Sequence, residues 1–157
     1  METLSERFWS KALMGGPDEC WVWHSVKQSN GYGLFRPDGR RGKRVGISAH
    51  RYAYTITHGE IPKGMTIDHI CNNKLCINPE HLRICTQGQN NRNQPKDKSN
   101  KSGLKGVFAH RDNSRWRAAI KVNGKPLHLG IFQTKEEAHA AYCDAARKHH
   151  GEFANFG

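Results

Sequence analysis

Residues 68–91 read DHICNNKLCINPEHLRICTQGQNN, and this stretch decides the fold. Cys71 and Cys76 are separated by four residues, and His81 follows Cys76 after four more, inside a loop rich in asparagine. Three soft or borderline ligands at this spacing suit a tetrahedral zinc ion, which needs a fourth donor. Cys85 and Cys143 sit among apolar neighbours, whereas Cys20 opens CWVW, a strand candidate beside the loop, so Cys20 is the expected fourth ligand. With every position filled by protein, such an ion is structural and reinforces a small core.

Directly before the loop stand Asp68 and His69, at the end of the strand expected from MTIDHI. A neutral histidine takes a proton from water, while a carboxylate and an amide are hard oxygen donors that suit magnesium or manganese better than zinc. Asn90, 21 residues after His69 and at the start of a helix expected from QGQNNRN, can supply the amide. The pair suggests hydrolysis. On DNA, a divalent ion would stabilise the charge of the phosphorane-like transition state and of the departing oxygen. Arg51, entering a helix in the segment AHR, offers a planar fork to the scissile phosphate.

The bulk charge agrees. Among 157 residues, 25 Lys plus Arg stand against 14 Asp plus Glu, a net +11 that recurs along nearly the whole chain and calls for a polyanion partner. A membrane-surface binder needs a broad apolar helix face, and no segment carries one of sufficient length. No run approaches a membrane span, and the N-terminus METLSERFWSKALMGG lacks the layout of a signal peptide. Five cysteines, odd in number and unevenly spaced, speak against a secreted disulfide framework. The expectation is an intracellular, cytoplasmic protein without a membrane partner.

Outward from the loop, residues 3–14 are expected to form one helix anchored by Leu4, Phe8 and Leu13. YGLFRP and KRVGISAH flank DGRRG, a hairpin signal with Arg40 and Arg41 at its tip, where they can reach DNA. His50–His58 reads as a helix ended by Gly59, and LRICT as a strand. RNQPKDKSNKS, from 92 to 102, cannot pack a core and reads as a basic linker. GLKGVFAH, SRWRAAIKVN and PLHLGIF read as three strands, and Thr134 with Glu137 makes a capping box for a closing helix with an Ala138, Ala141, Tyr142 and Ala145 stripe. In the middle strand Trp116, Ala118, Ile120 and Val122 alternate with Arg117, Ala119, Lys121 and Asn123, giving one apolar and one partly cationic face. Phe108, His110 and His128 belong on that cationic face, with Leu127 and Leu129 buried, and such a sheet can lie against DNA.

Asp68-His69, Pro79, His81-Leu82, Thr86 and Asn90-Asn91 together resemble the HNH nuclease motif, whose members use a ββα-metal fold. The string from His69 to Leu82 is similar to the His-Cys box version found in homing endonucleases. The resemblance implies structural zinc on Cys20, Cys71, Cys76 and His81, His69 as general base, and Asp68 and Asn90 on a catalytic Mg2+ (or Mn2+). In simpler HNH enzymes an asparagine at the place of His81 orients the base, so here Asn78 or a backbone carbonyl takes that task. A second cluster for the further zinc of typical His-Cys box enzymes is absent from the sequence. The C-terminal stretch, with KGVFAH, RWRAAIKV, HLGIF, TKEEAHAAYCDAA and FANF in order, resembles the Apetala/ethylene-response-factor DNA-binding domain. That family lays its sheet in the major groove, which implies groove contacts from Lys105, Phe108, His110, Lys121 and His128. Several of its arginines and a tryptophan are replaced here, so its base preference does not carry over.

The sequence thus predicts an α+β protein: a zinc-stapled ββα-metal nuclease domain (1–93), a basic linker (94–101), and a small three-stranded antiparallel sheet plus helix (102–157). It resembles the mobile, homing endonucleases of phages and introns, which implies a phage-infected bacterial host. The partner expected is double-stranded DNA; one active site makes a nick, and a double-strand break calls for a homodimer or two successive events. The rival reading is a non-catalytic zinc-containing DNA-binding regulator on the same scaffold, and an RNA nuclease or binder is a weaker third.

Overall fold

The computed structural model describes residues 2–38 and 46–157, so Arg40 and Arg41 lie outside the described residues. The chain divides into two compact units, Met1–Thr86 and Gln87–Gly157. Both mix short helices with small antiparallel sheets, an α+β architecture.

The first unit opens with α1 (Leu4–Trp9), started by a Thr3–Glu6 capping box that satisfies two orphan donors. Helix was expected to continue to residue 14, but it ends at Ser10 and the chain turns into β1 (Ala12–Leu13), antiparallel to β2 (Val22–Trp23). Leu13 is 69% exposed, so it adds nothing to the apolar face that would have extended the helix. Only Phe8 of the three expected anchors is fully buried, and it is the hub of the core, with ring centroids 4.9 Å from Phe35, 5.3 Å from Trp23 and 4.7 Å from Tyr52.

Next come β3 (Leu34–Phe35) and β4 (Ile47–Ser48), paired as the hairpin signal predicts, and α2 (Ala49–His58), ended by Gly59 at φ +99°. Gly33, beside β3, is a close-approach position: a Cβ there would collide with the Trp23 ring. β5 (Thr66–His69) pairs antiparallel with β6 (Leu82–Cys85), joining Asp68 to Arg83 and His69 to Leu82. The loop between them carries the ligand candidates and ends in a short 3-10 turn, Pro79–His81.

The second unit starts at α3 (Gln87–Asn93), the helix expected from QGQNNRN. The stretch read as a linker belongs with this unit, and polar bonds order it: Asn100 Nδ2 donates to the Leu104 carbonyl (3.0 Å) and Ser102 Oγ to that of Val107 (2.9 Å). A sheet follows, β7 (Val107–Ala109), β8 (Trp116–Val122) and β9 (Lys125–Phe132), in sequential antiparallel order. Its register slips between Ala118, opposite Gly130, and Ala119, opposite His128, so Leu129 bulges into the core beneath. α4 (Lys135–His150), with the predicted Thr134–Glu137 box, covers the inner face through Ala138, Tyr142 and Ala146. Leu127 does not join it: near the turn into an edge strand it remains 40% exposed, against the expectation that it is buried. Among the described residues, no helix is long and apolar enough to cross a membrane.

Candidate active site and metal centre

Two strand contacts bring the distant cysteine to its loop. The Trp23 amide donates to the Leu75 carbonyl (2.8 Å) and the Ile77 amide to that of Trp21 (2.8 Å), so β2 runs against the loop after β5. Asn78, fully buried, fastens the approach: its Nδ2 donates to the Pro17 and Glu19 carbonyls at 2.7 and 2.8 Å, while its Oδ1 accepts from the Glu80 amide. The ligand atoms of Cys20, Cys71, Cys76 and His81 consequently lie within 4.8 Å of one another. His81 Nδ1 is 3.7 Å from Cys20 Sγ and 3.6 Å from Cys76 Sγ. A tetrahedral zinc with bonds of about 2.3 Å to sulfur and 2.0–2.1 Å to nitrogen spaces such pairs by about 3.6 Å, so the cluster is compatible with zinc. The thiol of Cys76 beside it holds the Cys71 thiol well below its ordinary pKa, and the same contact pushes Cys76 up. Such a poised thiolate is what a metal ligand requires.

His69 closes β5 with 6% exposure. Its Nε2 lies 3.0 Å from the Cys76 carbonyl oxygen. That oxygen only accepts, so Nε2 carries the proton and the neutral ring keeps its lone pair on Nδ1. Of the two orienting candidates, the structure puts a backbone carbonyl beside His69 and engages Asn78 with the Cys20 segment. Burial lowers the pKa of His69, opposed by the Cys76 bond and by the charges of Cys71 and Asp68.

Asp68, 3% exposed, holds a partner that spacing did not signal. Arg83 Nε donates to its Oδ2 at 2.9 Å and Nη2 lies 2.8 Å from the same oxygen. The signal was the register: setting MTIDHI against LRICT around the loop makes the two cross-strand neighbours. Two more groups went unpredicted. His50 of α2 packs its ring 4.7 Å from that of His69, and Tyr32 lies 5.0 Å from His50 and 5.7 Å from His69. His50 is pushed down to about 3 by burial, then by the charges of His69 and Arg51. Arg51 follows it on α2, half-buried. Asn90 lies on α3, in the second unit.

A family model described as HNH endonuclease matches residues 48–92, from the start of α2 through Asn90. Protein 3.8 of Escherichia phage T7 is 34% identical over 109 residues, covering 68% of this chain and 88% of that protein. The chain belongs to the HNH endonuclease family. An uncharacterized HNH endonuclease of Acanthamoeba polyphaga mimivirus is 37% identical over 109 residues, 69% of this HNH chain but only 56% of that relative. An ethylene-responsive transcription factor-like protein of Arabidopsis thaliana is 46% identical over 43 residues, 27% of this chain and 18% of its own. No solved structure matches the HNH chain significantly. Membership of this family supports a nuclease that acts on DNA, and phage relatives fit that reading.

In the second unit, Phe108, Arg117 and Ile131 form one cross-strand row of the outer face, with the Arg117 guanidinium 5.4 Å from the Phe108 ring centre. His128 stands opposite Ala119 and Lys121 opposite Pro126. His110 lies just past β7 with Nδ1 3.0 Å from an Asp112 carboxylate oxygen. Lys105 is placed differently from the groove-facing position expected: half-buried, its Nζ donates to the Arg92 carbonyl (3.1 Å) and to that of Gln94. An ammonium satisfies the orphan carbonyls at the end of α3 well, which explains the inward turn.

Proposed function

We propose that this chain is a metal-dependent DNA endonuclease, site-specific and of the mobile, homing kind, with His69 as general base. The observation that carries the reading is the pinning of His69 Nε2 on the Cys76 carbonyl, which directs basicity to Nδ1, with the buried Asp68 preceding it in β5. His69 Nδ1 takes a proton from water, the resulting hydroxide oxygen attacks phosphorus, and the P–O bond to the departing strand oxygen breaks. Asp68 and Asn90 are the proposed holders of Mg2+ (or Mn2+), a hard-oxygen pair that fits such an ion. When bound there, it supplies stabilisation of the developing negative charge. Asn90 is assigned on motif order, Arg51 as a clamp on the phosphate, and Cys20, Cys71, Cys76 and His81 as holders of structural zinc. The outer sheet face, with Phe108, His110, Arg117, Lys121 and His128, is the proposed reader of duplex DNA, a role in keeping with the short plant transcription-factor match.

Supercoiled plasmid incubated with the protein and magnesium tests this. Nicked circles are expected, with the His69→Ala variant slower by about 10²–10⁴-fold. Binding without cleavage across several substrates and metals would overturn the reading in favour of the regulator on a nuclease scaffold.

A further inference from the structure

The second unit contains a cavity of about 430 Å³ that none of the proposed chemistry uses. α3 contributes Asn91 and Arg92 to its lining, β8 and the following turn contribute Lys121 and Asn123, and Lys105 and His150 complete the polar set. Arg92 and Lys105 bring cationic side chains, and none of the lining residues is acidic. A concave site lined by one sign of charge concentrates counter-ions of the other. The volume falls in the range of roughly 300–1,000 Å³ that small-molecule sites occupy, and exceeds what a lone inorganic anion needs.

The hydrogen-bond inventory narrows the ligand. Gln87 Nε2 donates to Asn91 Oδ1 (2.9 Å) and Arg92 Nη2 to Asn123 Oδ1 (3.5 Å), so both amides have their oxygens engaged and offer N–H groups. Two of the three Lys105 ammonium protons go to carbonyls of α3 and its extension, leaving one. Against these donors stands a buried acceptor. His150 Nε2 lies 2.9 Å from the Lys121 carbonyl oxygen and must donate to it, which makes Nδ1 an acceptor; that atom is buried, in a residue 8% exposed, with no partner. Burial, with the charges of Arg92 and Lys105 contributing, holds this imidazole below its ordinary pKa and so in the accepting form.

The lining therefore suits an anion attached to something that carries a hydrogen-bond donor. We infer that the cavity binds a nucleotide unit, its phosphate against Arg92 and Lys105 and a sugar or base donor toward His150. Apolar Ile120 and Tyr142 in the lining give the sugar or base a surface to cover. The shared chemistry has two sources, a free nucleotide or a nucleotide of a DNA strand. The inference is independent of Asp68, His69 and Asn90, so failure of cleavage leaves it standing.

Two-dimensional amide NMR of the full chain carrying His69→Ala, titrated separately with deoxyadenosine monophosphate and a short DNA duplex, tests it. Saturable shifts are expected at Gly88 and Gly124, which line the cavity. The Arg92→Gln, Lys105→Gln double variant should weaken them by about tenfold or more, the loss expected for two charge-assisted contacts. Response to the nucleotide assigns the free ligand as source, and response to the duplex alone assigns the strand; either supports the inference. Shifts confined to the outer sheet face, or unchanged affinity in the charge variant, would overturn it. Should that variant fail to fold, Asn123→Asp adds a repelling carboxylate at a left-handed position (φ +49°) that aspartate tolerates, and must weaken the same shifts.

Discussion

Asp68 and Arg83 face each other across β5 and β6 with 3% and 16% of their side chains exposed, so the carboxylate depends on the guanidinium for its burial. Removing the arginine leaves a buried charge without its main counter-ion. Arg83→Gln should cost about 3 kcal/mol in urea denaturation, and Asp68→Asn combined with Arg83→Gln less than the sum of the single variants. His50 gives a pH dependence at the same scale. Its folded pKa, about 3, lies below the ordinary 6.5, so the unfolded chain binds the extra proton between those values. Stability from this group is therefore complete above pH 6.5 and is lost as pH falls from 6.5 toward 3. His69, Tyr32 and Arg51 surround it, and none of them offers a negative charge to the imidazolium at those pH values. His50→Phe, which keeps a ring in the stack, should flatten this part of the acid-denaturation profile; an unchanged acid limb would contradict the assignment.

At the scale of elements, β1 to β4 are only two residues long and cannot stand on backbone pairing alone. The ligand cluster joins the segment before β2 to the loop between β5 and β6, and closes a chain loop from Cys20 to His81. On the proposed zinc reading, a strong chelator or the Cys71→Ser substitution should lower the melting temperature of the first unit, and after chelation zinc, not magnesium, should restore it, because thiolates are soft donors. The β7–β9 sheet and α4 contain none of the four ligands and should keep their own transition in calorimetry.

At the scale of the molecule, +11 net charge makes DNA affinity a steep function of salt. Arg117, exposed and steadied over Phe108, is expected to contact a phosphate. Arg117→Ala should reduce the slope of log affinity against log salt by about 0.9, measured by fluorescence anisotropy on a duplex. An unchanged slope with altered sequence preference would move Arg117 from backbone contact to base reading.

The sequence by itself determined the Cys3His ligand loop, the α+β class, the Thr134–Glu137 capping box and the three strands before it, because ligand spacing, period-two alternation and cap residues act over a few neighbouring positions. Even the distant Cys20 was legible, since Cys85 and Cys143 sit in apolar runs. Tertiary structure alone decided what each site group touches: Cys76 rather than Asn78 beside His69, Arg83 on Asp68, His50 and Tyr32 packed against the His69 ring, Lys105 turned inward to α3. Those contacts depend on cross-strand register and on which carbonyls are left over at element ends, quantities that exist only once the strands have paired and the helices have stopped.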